Sequence, residues 1–170
     1  LAFANQVPKG DIGIVAAAGT GLQEVACLIA RGGKGVSHGI GTGGRDLSEK
    51  IGGLTALAAI DALDSDPATK HVFIVSKPPA RSVADAVLAR VAKSFKRFTI
   101  CFLGADGSGM PANARFAPTL AAAAADALGG EGVDTGYDID GKAAEAREQL
   151  APARRWVRGI YSGGTLCAEA

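Results

Sequence analysis

The chain has 170 residues, 48% of them hydrophobic and 21% charged, enough apolar content to bury a core and too much for a disordered segment. Eighteen basic residues against seventeen acidic ones leave a formal charge of +1, which argues against nucleic acid or an anionic membrane as the principal partner. No apolar run reaches the length of a membrane span, and Leu1–Asn5 lacks the charged and apolar regions of a signal peptide.

In chain order, Ile12–Ala17 is a short apolar run ending in Ala-Gly-Thr-Gly, followed by helical periodicity over Leu22–Ala30 that stops at Gly32-Gly33. Val36–Ile40 reads as a second strand, and a glycine-rich loop from Gly41 to Gly53 precedes a helix over Leu54–Leu63. Val72–Ser76 is a third strand closed by Pro78-Pro79. Ser82–Phe95 is the next helix, with Ser82 and Asp85 in the form of a capping box. Phe98–Leu103 is a fourth strand, and Pro118–Leu128 a further helix.

Short strands that are apolar throughout and alternate with helices imply a parallel sheet covered on both faces. The predicted fold class is therefore α/β, a flavodoxin-like open parallel sheet flanked by helices, over residues 10–128. Residues 129–155 read as a linker with a helix over Lys142–Leu150 that Asp140 could cap. Trp156–Tyr161 reads as a strand, and Ser162-Gly163-Gly164-Thr165 as a strand-to-helix turn. Gly159-Ile-Tyr-Ser-Gly-Gly-Thr echoes Gly13-Ile-Val-Ala-Ala-Ala-Gly-Thr-Gly, so residues 156–170 are expected to start a following, truncated domain; a chance likeness of two βα turns is the alternative.

Ligands of open α/β sheets bind beyond the carboxyl ends of the strands. Gly19, Thr20 and Gly21 stand at such an end. Glycine permits close approach, Thr20 with Gln23 has the form of a cap, and free N–H groups favour an anion. Glu24 breaks the dinucleotide spacing and no P-loop lysine follows, so a plain tight turn is the competing reading. Gly41, Thr42, Gly43 and Arg45 form a second candidate, with a guanidinium suited to phosphate or carboxylate; a solvated surface loop is the alternative. Lys77 and Arg81 add positive charge after the third strand, where solvated side chains would explain them equally well. His38 and His71 are read as structural, with no metal spacing around them. Cys27, Cys101 and Cys167, far apart and each in an apolar element, are read as buried or half-buried thiols of a reducing cytoplasm.

Three ordered motifs together carry a family resemblance: Gly13-Ile-Val-Ala-Ala-Ala-Gly-Thr, Val36-Ser-His-Gly-Ile-Gly-Thr-Gly-Gly, and Asp64-Ser-Asp-Pro-Ala-Thr-Lys-His-Val-Phe-Ile-Val. They resemble the second, ligase domain of the succinyl-CoA synthetase alpha subunit over residues 10–103. Ser76-Lys-Pro-Pro-Ala and the Tyr161-Ser-Gly-Gly-Thr-Leu-Cys stretch resemble FdrA-type acyl-CoA synthetase-like proteins in particular. The resemblance implies an acyl-CoA synthetase, with CoA and nucleotide as ligands of the full-length protein, an N-terminal CoA-binding domain and a C-terminal domain outside this segment. In that family the helix start matching Gly19, Thr20 and Gly21 holds the phosphate of a phosphohistidine. The family's active histidine is missing from the loop Gly104–Arg115, and its supporting glutamate aligns with Lys77, so the phosphohistidine step is expected to be lost. The expected ligand is a small anion: phosphate, a carboxylate or carbamoyl phosphate. Expected alternatives are a subunit of an oxamate or carbamoyl-transfer system and a non-catalytic scaffold or assembly domain; a homo-oligomer is also anticipated.

Overall fold

The computed structural model describes residues 6–130, 138–151, 153–154, 156 and 158–170. Five strands, β1 (Lys9–Ala16), β2 (Val36–Gly41), β3 (His71–Ser76), β4 (Arg97–Phe102) and β5 (Ala114–Phe116), form one sheet in the order β2-β1-β3-β4-β5. Every pairing is parallel. Helices α1 (Gly19–Arg31), α2 (Leu54–Ser65), α3 (Arg81–Val91) and α4 (Leu120–Ala127) provide the crossovers and the covering layers. The chain is an α/β protein with an open parallel sheet flanked by helices, and its strand order is that of the flavodoxin-like folds.

Alternation within each strand builds two cores. Ile12, Ile14, Phe73, Val75 and Cys101 face α1 and α4, where Val25, Ile29 and Ala123 meet them. Val15, Val72, Ile74, Phe98 and Ile100 face α2 and α3, where Ile60, Leu63, Val83 and Val87 meet them. All six residues of β3 are buried, as expected of the central strand of a two-sided sheet. Short β5 lacks a sequence signal, because a three-residue edge strand shows no period. Asn113 holds its start: its amide donates to the carbonyls of Val91, Ser94 and Lys96 at 2.9, 2.9 and 3.2 Å.

Several helix starts differ from the sequence expectation. Helix α1 begins at Gly19 behind Ala18 and α3 at Arg81 behind Ala80; neither has a side-chain cap. The Thr20 and Ser82 hydroxyls thus lie one or two residues inside the helix, too late to reach the free amides in the capping geometry. Helix α5 (Ile139–Gln149) starts earlier than expected and is capped by Asp138, not Asp140, through Gly141 N–H at 2.9 Å.

Helix α2 gets its anion from within the chain. The buried Asp46 carboxylate accepts from Thr55 N–H and Ala56 N–H at 2.9 and 2.8 Å. Asp46→Ala should lower stability by about 2 kcal/mol, because it strands both amides and removes the charge facing the helix dipole. Chemical denaturation of the variant beside Asp46→Asn checks this: the asparagine can still accept one bond and should lose less.

The run from Trp156 to Tyr161 is no strand in its described residues, 156 and 158–161. Trp156 and Ile160 are almost wholly exposed, and no described strand pairs with this run. Residue 157 and the segment 131–137 of the anticipated linker lie outside the described residues. The short helix α6 (Gly164–Glu169) forms as the turn motif suggested, and it packs on α1.

Candidate functional site: the crevice at the start of the first helix

The strand order reverses direction between β1 and β3: from β1 the chain goes outward to β2, then returns past β1 to β3. Such a switch point opens a crevice at the carboxyl ends of the two strands, because the helices that follow them leave on opposite faces. The start of α1 and the residues after β3 border it. Gly19, Thr20 and Gly21 occupy the first turn of α1, and Lys77 directly follows β3.

Among the described residues nothing neutralises the α1 start. Ala18 offers no side-chain acceptor, no acidic residue lies in the first turn, and the first intrahelical bond runs from Leu22 N–H to the Ala18 carbonyl. The N–H groups of Gly19, Thr20 and Gly21 have no acceptor among the described residues. By contrast α2 holds Asp46, and α4 holds both the Thr119 hydroxyl and, at Leu120 N–H, the Glu169 carboxylate at 2.7 Å. Two of the helix starts at this end of the sheet thus already bind a carboxylate of this chain, whereas α1 is left with a positive dipole end and three available donors.

Small residues keep this place open. A Cβ on Gly19 would meet nothing within 4 Å. Gly21 is buried; a Cβ there would come 2.9 Å from Thr165 Cγ2, 3.1 Å from Val75 Cγ1 and 3.5 Å from Thr165 Oγ1. The turn before α6 lies over the same spot. A Cβ on Gly163 would come 2.7 Å from Thr20 Cγ2, and one on Gly164 would lie 3.3 Å from Lys77 Nζ. Lys77 is exposed and makes no ion pair among the described residues. The structure therefore brings Gly19, Thr20, Gly21 and Lys77 together with Gly163, Gly164 and Thr165. Thr165 was not foreseen as a site residue, because sequence separation hides a contact with α1; the echo of the first βα turn was its one signal.

The second glycine-rich loop lies beside the first. Thr42 N–H donates to the Ala16 carbonyl at 2.9 Å, which fixes the loop against the end of β1, and the Thr42 hydroxyl oxygen is buried without a partner. Gly43 has a φ of 88°, a conformation that favours glycine. Gly41 and Gly19 both line a groove of about 400 Å³ between α1 and the edge strand β2. Arg45 is exposed and has no ion-pair partner among the described residues.

Arg81 belongs elsewhere. It lines a separate groove of about 760 Å³ between α3 and the loop after β4, with Pro78, Leu88, Phe102 and Met110, and lies 3.9 Å from Asp85. Pro78-Pro79 carries the chain from Lys77 to that other face, so the two cations do not share one site.

Of the remaining titratable groups, His38 lines the groove between α1 and β2 with Gly19 and Gly41. His71, at the opposite end of β3, is buried with Nε2 2.8 Å from Thr99 Oγ1, and its ring stands 4.5 Å from that of Phe73. The side chain of His38 is 57% exposed and lies 3.4 Å from Asp66, so it is no core residue. Cys101 is buried and its thiol is pushed up to about 12 by burial, so it is inert as a nucleophile. Cys27 is half-buried and Cys167 is exposed, the latter contrary to expectation, since α6 turns that side of itself to solvent. Among the described residues no group of three or more His, Cys, Asp or Glu side chains could hold a metal ion, and no helix is long and apolar enough to cross a membrane.

No protein-family model matches the chain. It is similar to a protein of Escherichia coli (strain K12) described as uncharacterized protein YahF, with 43% identity over 175 aligned positions. The alignment takes in 99% of this chain and 34% of YahF, so the chain spans about a third of the length of that relative.

Proposed function

We propose that this chain is an anion-binding domain of an acyl-CoA synthetase-like enzyme of the FdrA type, related to the ligase domain of succinyl-CoA synthetase and working without a phosphohistidine. The carrying observation is the uncapped start of α1: three N–H groups without an acceptor among the described residues, glycines that let a ligand approach, and Lys77 across the crevice. Amides fixed at a helix start and one ammonium group suit the oxygens of phosphate, a carboxylate or a carbamoyl phosphate, and would stabilise negative charge that develops during acyl or carbamoyl transfer. Gly41, Thr42 and Gly43 form the neighbouring wall, with Arg45 at its rim. The chain's own residues fit a phosphate-sized group; CoA and nucleotide binding are assigned to the remainder of the full-length protein, which on this reading acts in the cytoplasm.

Titration with inorganic phosphate, followed by amide NMR, should move the Gly19, Thr20 and Gly21 signals together. Lys77→Glu should weaken the binding by at least about tenfold, since it replaces an attractive charge by a repulsive one. Unmoved Gly19–Gly21 signals at saturating phosphate would count against the reading. A scaffold without a ligand site would show none of these shifts.

Loss of the phosphohistidine step has its own test. His38 and His71 are the chain's two histidines. His71 is buried at the amino end of β3, and His38 faces Asp66 at that same end of the fold. Incubation of the full-length protein with labelled ATP, or with an acyl-CoA and phosphate, should leave no acid-labile, base-stable label in this segment. A label on either histidine would overturn that part of the reading.

A further inference from the structure

We infer that the outer edge of β2 is a docking edge for a second copy of this chain, the two β2 strands pairing antiparallel about a two-fold axis at Gly39. The inference is independent of the anion-binding reading. An open sheet has two edges, and a bare edge invites pairing with another chain. Here the two edges differ. Edge strand β5 is guarded, since it has only three residues and its middle one is the exposed Arg115. Edge strand β2 has six residues, Val-Ser-His-Gly-Ile-Gly, with no lysine, arginine, carboxylate or proline among them. None of the six is fully buried. The register shifts of β1 and β2 are confined to their amino ends, so Gly39–Gly41 run regularly.

Backbone direction sets what this edge offers. Thr42 N–H donates to the Ala16 carbonyl, so the backbone at 42 faces β1; by alternation Gly41 and Gly39 turn their N–H and C=O groups outward. Among the described residues no strand pairs with them there. A two-fold axis at Gly39 sets Gly39 against its own copy, Gly41 against Ser37 of the second copy and His38 against Ile40 of the second copy. Every outward group of the two glycines then finds a partner, and no like charges face each other. The groove between α1 and β2 fits the same partner. Helix α1 packs on β1 and on β2, so it lies over their boundary. Its symmetry mate would run about 10 Å away, two strand spacings, which is the separation of packed helices. A Cβ on Gly39 would come 3.2 Å from Leu22 Cδ2, so Gly39 faces α1, and Gly41 shares that face. Glycine at both positions leaves the space over the axis free for the two helices, whose Leu22 and Ala26 already line the groove.

Sedimentation and cross-linking of the full-length protein test this. The protein should sediment as a dimer or a higher even oligomer. Gly39→Cys should form a disulfide between the two copies under mild oxidation, identified by mass spectrometry as a peptide linked 39 to 39. The Cα atoms of such a pair lie about 5.5 Å apart, within disulfide reach. Phe95→Cys, at a fully exposed position away from the edge, should link to its own copy far more slowly. Gly41→Lys guards the edge with a charge where a Cβ meets nothing within 4 Å, so the circular dichroism spectrum should stay unchanged. The same variant should raise the dissociation constant of the β2 contact at least about tenfold. A monomeric full-length protein overturns the inference. So does an oligomer that yields no 39-to-39 link and withstands Gly41→Lys, since another surface then joins the copies. Slow amide exchange at Gly39 and Gly41 without that link would assign the edge to a different segment or partner, and overturns it equally.

Discussion

Gly35→Ala should destabilise the protein by about 3 kcal/mol, at the upper end of what overpacking costs. Gly35 is buried where the strand after α1 crosses the entry to β1. A Cβ there would lie 2.5 Å from the Lys9 carbonyl carbon and oxygen and 2.6 Å from the Pro8 carbonyl oxygen. The approach is mutual, since a Cβ on Gly10 would come 2.3 Å from the Gly35 carbonyl oxygen. These obstacles are backbone atoms, held by the bond from Val36 N–H to the Pro8 carbonyl at 2.8 Å. A flexible side chain could swing away; this backbone can yield only by breaking the β1–β2 pairing. The register of β1 and β2 already shifts between Lys9 and Gly13, so little slack remains. Urea denaturation should show a lower midpoint with an unchanged slope. Gly19→Ala serves as the contrast: with nothing within 4 Å of its Cβ, it should cost no stability and could gain up to about 1 kcal/mol from helix propensity. Equal effects of the two substitutions would refute the steric argument.

Lowering the pH from 6.5 to about 4 should remove roughly 3 kcal/mol of stability through His71 alone. Burial chiefly, with help from Arg97 and Lys34, depresses the imidazole to about 4 against the attraction of Asp126 and Asp11. Above pH 6.5 the ring is neutral in both folded and unfolded chains. Between 6.5 and 4 the unfolded chain takes up a proton that the folded chain refuses, so stability declines as pH falls. Below 4 both forms are protonated and this contribution stops changing. The neutral ring is built into a polar cluster: Nε2 meets Thr99 Oγ1 at 2.8 Å, Thr99 donates to Asp126 Oδ2, and Asp126 pairs with Arg97 and Arg115. His71→Gln can keep a bond to Thr99 without titrating. Its stability should be flatter than the parent's between pH 4 and 6.5, read from denaturation midpoints at each pH. Parallel curves for the two proteins would exclude His71 as the cause. Asp64 acts in a different window: bonds from Ser94 and Arg90 hold its carboxyl below the usual range despite burial, so its loss comes at lower pH.

Much of the fold was legible from residue order, because parallel strands buried on both sides must be apolar at nearly every position. Val72–Ser76 and Phe98–Leu103 could not have been half-exposed strands. Glycine and proline punctuation placed the turns, although the helix starts at Ala18 and Ala80 escaped capping rules that assume a hydroxyl or carboxylate at the boundary. Strand β5 also escaped, since it exists through pairing with β4 and through Asn113, not through a pattern of its own. At 156 and 158–161 the propensity for a strand was present, and no described strand pairs with it.

The candidate site divides along the same line. Glycines at 19, 21, 41 and 43 and the cations at 45, 77 and 81 were readable as loop residues at strand ends. Residue order alone was enough to place Gly19–Gly21 and Lys77 at one end of a parallel sheet, since all its strands run the same way. It could not distribute them around that end. The strand order 2-1-3-4-5 put the crevice between β1 and β3, bringing Lys77 toward α1, while Pro78-Pro79 sent Arg81 to the groove of α3. Nor could it bring Thr165 from the end of the chain onto Gly21, or show that its hydroxyl is left without a partner. Local periodicity encodes which face of an element is buried; which elements meet, and which polar atoms remain unsatisfied where they meet, is decided by packing between residues more than a hundred positions apart.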